Sequence, residues 1–134
     1  MRLTRHTDYA LRVLIHLAQH TGRLCSISEI AALHAISRNH LMKVVNQIVN
    51  AGFVDSVRGR GGGIRLARQP KDIVIGAVVR ACEPSLDIVD CSDCALMPGC
   101  GLTPVLGQAM TAFLAVLDHK SLADILPADR SRSG

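Results

Sequence analysis

The chain has 134 residues, is 49% hydrophobic and carries a formal charge of +4, which fits one domain with an aliphatic core. Aromatic residues make up 2% (Tyr9, Phe53 and Phe113), so the stacking platforms that grip RNA or single strands are nearly excluded. The charge is uneven: residues 1–70 hold ten Lys/Arg against three Asp/Glu, a net +7, and residues 71–134 hold five against eight, a net −3.

A basic first half points to a phosphate-facing surface. No apolar run approaches the ~18 residues of a membrane span. The opening "MRLTRHTDYALRVLIHLAQH" carries charges and histidines and has no small-residue cleavage site, so it does not read as a signal peptide. A cytoplasmic protein with no membrane partner is expected. Reducing conditions then favour metal binding or redox sensing over structural disulfides, and five cysteines are an odd number for a disulfide framework.

In chain order, the first helix is expected at Thr7–His20, with Tyr9, Val13, Leu14, Leu17 and Ala18 as one apolar stripe and Gly22 as its stop. Ser26 with Glu29 three residues on forms a capping box that opens a short helix over 27–34. Ser37 caps another over about 38–50, with Leu41, Val44, Val45, Ile48 and Val49 inward and Gly52 closing it. Two short helices joined tightly in a basic region fit a helix-turn-helix. Residues 53–67, "FVDSVRGRGGGIRLA", read as two strands turning at "GRGGG", a wing directly after the helix pair. Pro70 breaks the chain, and a helix of roughly 74–83 follows.

The cysteine loop runs from about Pro84 to Leu102. Beyond it, Pro104 suits the first turn of a last helix. Leu106, Ala109, Met110, Phe113, Val116 and Leu117 share one face of that helix, read as a dimer interface; sixteen helical residues span ~24 Å. The expected fold is therefore mostly α with a small β-hairpin. A winged helix-turn-helix occupies 1–70, a connecting helix and cysteine loop 71–103, and a dimerisation helix with its tail 104–134.

The N-terminal residues of a recognition helix reach base edges in the major groove. Here they are Ser37, Arg38, Asn39 and His40, with Lys43 one turn on: hydroxyl, guanidinium, amide, imidazole and ammonium groups opposite the leucines and valines. Arg58, Arg60 and Arg65 surround the wing glycines, and Arg-tipped loops suit narrow minor grooves. The glycine turn lacks the trailing Lys-Ser/Thr of a nucleotide-binding loop.

Cys91, Cys94 and Cys100 have the spacing C-x2-C-x5-C. Three thiolates suit zinc or an iron–sulfur cluster and leave a four-coordinate site one ligand short. The shortage leans towards a partly open cluster; zinc, a thiol switch and no site are the alternatives. Cys25 and Cys82 read as small buried hydrophobes. Neither a nucleophile–base pair nor paired catalytic carboxylates are found, so no enzyme is expected.

The segments "MRLTRHTDYALRVLIHLA", "SRNHLMKVVNQIVNAGFVDSVRGRGGGIRL" and "FLAVLDHKSLADIL", with the cysteines before the last of them, resemble the Rrf-type winged-helix iron–sulfur regulators over about residues 1–126. They are most similar to the nitric-oxide-sensing repressor branch. The resemblance implies a homodimer with long crossing helices, a palindromic duplex operator and nitric oxide as the signal. It implies an iron–sulfur cluster, 4Fe-4S ahead of 2Fe-2S, on Cys91, Cys94, Cys100 and Asp8 of the other subunit. The cluster-biogenesis branch uses a His three residues after the last Cys; that position is Thr103 here. The rhizobial iron branch resembles Asn where this chain has Asp8. The first two cysteines stand closer together than is usual in the family. The rival readings are a regulator of the same type sensing iron or cluster status and, from another class, a small iron–sulfur electron carrier.

Overall fold

The structure is a computed structural model that describes residues 3–86 and 101–127. Cys91, Cys94 and Cys100 lie outside the described residues. No helix among those described is long and apolar enough to cross a membrane.

Helix α1 spans Arg5–Gln19, two residues earlier at its start than the apolar stripe suggests. Thr4 is the N-cap, its hydroxyl accepting from the Thr7 amide at 3.3 Å. The helix ends on His20, whose amide bonds the Leu17 carbonyl at 3.2 Å, so Gly22 lies in the following turn and is not the stop. Ala10, Val13, Leu14 and Leu17 are buried, and so are the polar Thr7 and His16, which the stripe omits.

Helices α2 (Ile27–His34) and α3 (Arg38–Asn50) have the expected limits. Both halves of the Ser26–Glu29 capping box form. Ala35 takes the left-handed conformation between the helices, at φ 55°, and Ile36 behind it is buried. Ser37 caps α3 by accepting from the His40 amide at 3.1 Å. The far end closes with paired bonds, Phe53 N–H to the Ile48 carbonyl and Gly52 N–H to the Val49 carbonyl, each 3.0 Å.

Strands β1 (Val54–Val57) and β2 (Gly63–Leu66) pair antiparallel, with Asp55 opposite Arg65 and Ser56 opposite Ile64. One more rung lies outside the hairpin: Cys25 and Ile64 exchange both backbone bonds, at 2.9 and 2.8 Å. The wing is thereby fastened to the segment between α1 and α2. Gly63 allows that approach, because a Cβ there would lie 2.6 Å from the Cys25 carbonyl oxygen.

Helix α4 spans Ile75–Cys82 and α5 spans Leu102–Asp118. The Arg80 guanidinium grips the Asp118 carboxylate with both terminal nitrogens, one at 2.9 Å. The chain beyond α5 returns to the residues before α4: Leu122 N–H bonds the Ile73 carbonyl at 2.7 Å, and Leu122 is fully buried. The face expected on α5 divides in two. Met110 is buried and Leu106 and Leu117 half-buried, joined by the buried Leu114. Ala109, Phe113 and Val116 instead fall on an adjoining exposed stripe with Leu102 and Val105. Six positions drawn from a helix apolar around most of its circumference cover a sector too wide for one contact.

The interior is aliphatic, and α1 sits at its centre, packing on α3, α4 and β2. Gly63→Ala is expected to lose about 1–3 kcal/mol of stability by forcing the hairpin off Cys25. A urea unfolding midpoint lowered at unchanged slope is the measurement.

Candidate DNA interface and its connection to the cysteine loop

On α3, Leu41, Val44, Val45 and Ile48 turn into the core, which leaves Ser37, Arg38, Asn39 and Lys43 exposed on the opposite side. His40 differs: it is half-buried, its ring edge-on to Tyr9 with centroids 4.9 Å apart and 6.5 Å from the His6 ring. It joins the first turn of α3 to the first turn of α1.

Arg58 and Arg60 are exposed at the hairpin tip, where Gly59 (φ 96°) and Gly61 (φ 76°) supply the positive-φ backbone of the turn. Arg65 is not at the tip. It lies on β2, directly across from Asp55 in the strand register. Among the described residues none of Arg38, Lys43, Arg58, Arg60 and Arg65 enters an ion pair, whereas Arg12, Arg23 and Arg80 all do.

Asp8 lies in the first turn of α1 with its side chain 49% exposed and 3.1 Å from Arg12 Nε, one turn along the same helix. The carboxylate therefore lies at the surface, paired with Arg12 of its own helix.

Two contacts tie the chain leading into the cysteine loop to the reading elements. The Glu83 carboxylate accepts from the Thr4 amide at 3.0 Å, from the Thr4 hydroxyl at 2.7 Å and from the Thr7 hydroxyl. Burial pushes Glu83 up, but the hydrogen bonds from Thr7 and Thr4 outweigh it and leave the carboxyl below its ordinary range. The Gln47 side-chain amide, on α3, donates to the Ala81 carbonyl. Glu83 and Gln47 border a cleft of about 300 Å³ with Thr4, His6 and Cys82. His6 Nε2 is buried there without a hydrogen-bond partner among the described residues. Burial pushes the Cys82 thiol up to about 11 and that of Cys25 in the same direction, as befits protonated, buried side chains. Sequence reasoning missed both ties, because partners 79 and 34 residues apart leave no local pattern.

A family model described as "Rrf2: Iron-dependent Transcriptional regulator" matches residues 3–128. The chain belongs to the Rrf2 family. It is 50% identical to the HTH-type transcriptional regulator NsrR of Bacillus subtilis (strain 168), covering 94% of this chain and 90% of that one. The regulator of the same name from Bacillus licheniformis is 46% identical, over 94% and 92%. Among solved structures, CymR, the global cysteine regulator of B. subtilis, superposes with a TM-score of 0.78 at 27% identity, over 93% of this chain and 95% of that one. T. potens IscR superposes at 0.76 and 27% identity, over 100% and 97%.

As an Rrf2 regulator the chain has a winged-helix reading head, and the relatives named above are regulators rather than electron carriers. Arg60→Ala is expected to weaken operator binding and to lower the slope of log K against log salt by about one phosphate contact. An unchanged slope in a salt-titrated binding assay would remove Arg60 from the interface.

Proposed function

We propose that this Rrf2 protein is a homodimeric repressor that responds to nitric oxide through an iron–sulfur cluster. Cys91, Cys94 and Cys100 of one subunit and Asp8 of the other would hold the cluster. NsrR is the name of the nitric-oxide-sensing branch to which the sequence is most similar, and two regulators of that name share about half its residues. The donor set fits the group, since three thiolates favour iron–sulfur chemistry and a carboxylate adds a harder, weaker fourth ligand. The exposed stripe of Leu102, Val105, Phe113 and Val116 on α5 supports pairing of two copies. When bound, the cluster supplies an iron that nitric oxide can attack.

The observation that carries the reading is the pair of contacts beside the loop. Glu83 caps the start of α1, the helix that bears Asp8, and Gln47 ties α3 to the last turn of α4. A change of pose at the loop therefore acts on the α1 start and on the recognition helix together, and His40 against Tyr9 couples those two helices again. Asp8 would be the weakest of the four ligands, with Arg12 beside it as the alternative partner of its carboxylate. Ser37, Arg38, Asn39, His40 and Lys43 then read base edges, and Arg58, Arg60 and Arg65 meet backbone or minor groove. A palindromic operator requires two such heads set ~34 Å apart, so a small tilt of either releases the duplex. This is a ligation change biasing a two-state dimer.

A second reading, in which the same head senses iron or cluster status, is favoured by the iron-dependent description of the family. Protein purified without air should be coloured, and adding nitric oxide should bleach it and release operator DNA in parallel. Operator binding that survives the bleaching defeats the proposal; release by iron depletion but not by nitric oxide selects the second reading. Asp8→Ala should still form a cluster, but one lost faster in air, with weaker binding to DNA.

A further inference from the structure

The other end of α1 carries a donor set that the regulatory reading does not use. His16, His20 and Cys25 each bring a ligand atom within 4.8 Å of the other two. Twelve residues separate Asp8 from His20, about 18 Å along the helix, so the group is remote from the proposed cluster ligand. The two histidines stand four apart on one face, rings stacked with centroids 4.4 Å apart at 29°. Cys25 is fully buried and His16 is 6% exposed.

Each ring has one nitrogen engaged by an acceptor and one lone pair left over. His20 Nδ1 lies 2.8 Å from the His16 carbonyl oxygen. A carbonyl only accepts, so Nδ1 carries the proton and the lone pair is on Nε2. His16 Nε2 lies 3.4 Å from Glu29 Oε2, which leaves the lone pair of that ring on Nδ1. Glu29 is in turn fixed by Arg23 at 2.9 and 2.8 Å and by the Ser26 amide at 2.7 Å. A carboxylate or carbonyl behind each imidazole is the outer arrangement that aims histidines at a metal.

We propose that His16, His20 and Cys25 bind one divalent cation of the zinc class, with water as the fourth ligand. Two imidazoles and a thiolate suit a borderline ion, with bonds of about 2.0–2.1 Å to nitrogen and 2.3 Å to sulfur. Those bonds set ligand atoms ~3.3–3.6 Å apart, so the side chains must close by no more than ~1.5 Å. Binding forms the metal–sulfur bond and releases the Cys25 thiol proton to solvent. Cys25 exchanges both backbone bonds with Ile64 of β2. The ion would therefore staple the end of α1 to the base of the wing and stiffen the reading head independently of the cysteine loop.

The test uses the full chain with Cys91→Ser, Cys94→Ser and Cys100→Ser, titrated with Co²⁺ as the probe. This host holds no loop thiols, so the result stands whether or not they carry a cluster. One equivalent of cobalt should give a tetrahedral d–d spectrum and a thiolate charge-transfer band, both removed by Zn²⁺. His20→Gln in that host should weaken binding at least about tenfold, and Cys25→Ser should abolish the charge-transfer band. No tetrahedral spectrum in the host, or a spectrum unchanged by His20→Gln, overturns the proposal. His20 is partly exposed, so its variant decides the matter even if Cys25→Ser fails to fold.

Discussion

The interaction on which the rest of the arrangement depends is the Glu83 carboxylate at the start of α1. It takes up a backbone amide and two hydroxyls within one turn of helix. Amides at a helix N-terminus have no intrahelical acceptor, and an anion there also meets the positive end of the helix dipole. Glu83 therefore does more than close a distance. It fixes where α1 begins, and with it the side of the subunit on which Asp8 projects. Because Glu83 follows α4 directly, the same contact fixes where the chain leaves for the cysteines. An apolar residue at 83 would leave the Thr4 amide and both hydroxyls without the acceptor they share, and α1 would lose this anchor to the end of α4.

Local physics made most of the elements legible. Ser26 and Glu29 announce α2, Ser37 announces α3, and the glycines after Arg58 announce the hairpin, because caps and positive-φ turns depend on residues within four positions of each other. The start of α1 was misjudged because its cap, Thr4, precedes the apolar stripe. Tertiary partners were illegible for a related reason. Nothing near Glu83 signals Thr4, and nothing near Cys25 signals Ile64; each pairing appears only when the chain returns to itself. The division of α5 into two stripes was hidden by excess, since apolar residues nearly all round a helix do not say which of them meet their own core.

The same limit applies to the candidate site. Residue type and register were enough to nominate Ser37, Arg38, Asn39, Lys43, Arg58 and Arg60, because a side chain opposite a buried stripe must face water. They could not separate His40 from its neighbours, since its contact with Tyr9 depends on how α1 crosses α3. Nor could they separate Arg65 from the tip arginines, since its position opposite Asp55 follows from strand register. His40, against Tyr9, and Ser37, whose hydroxyl caps α3, are thus nominated residues whose surroundings within the subunit already occupy part of their chemistry.

The positive charge of the first half can now be sorted by what neutralises it. Arg12 answers Asp8, Arg23 answers Glu29, and Arg68 lies 5.8 Å over the Phe53 ring. The Arg23 hydrogen bonds, with the Ser26 amide, hold Glu29 down to about 2, so that acid stays ionised throughout the physiological range. Asp8 and Glu29 are thus engaged in ion pairs, and Asp55 stands opposite Arg65 in the strand register. Arg38, Lys43, Arg58 and Arg60, exposed and without an ion pair among the described residues, place four of the first half's cations on α3 and the wing tip. Cations without an internal partner gain little from folding and much from a polyanion that releases its counterions on contact. Part of the uneven charge of the sequence is therefore the electrostatic form of the reading head, unclaimed by the subunit's own ion pairs.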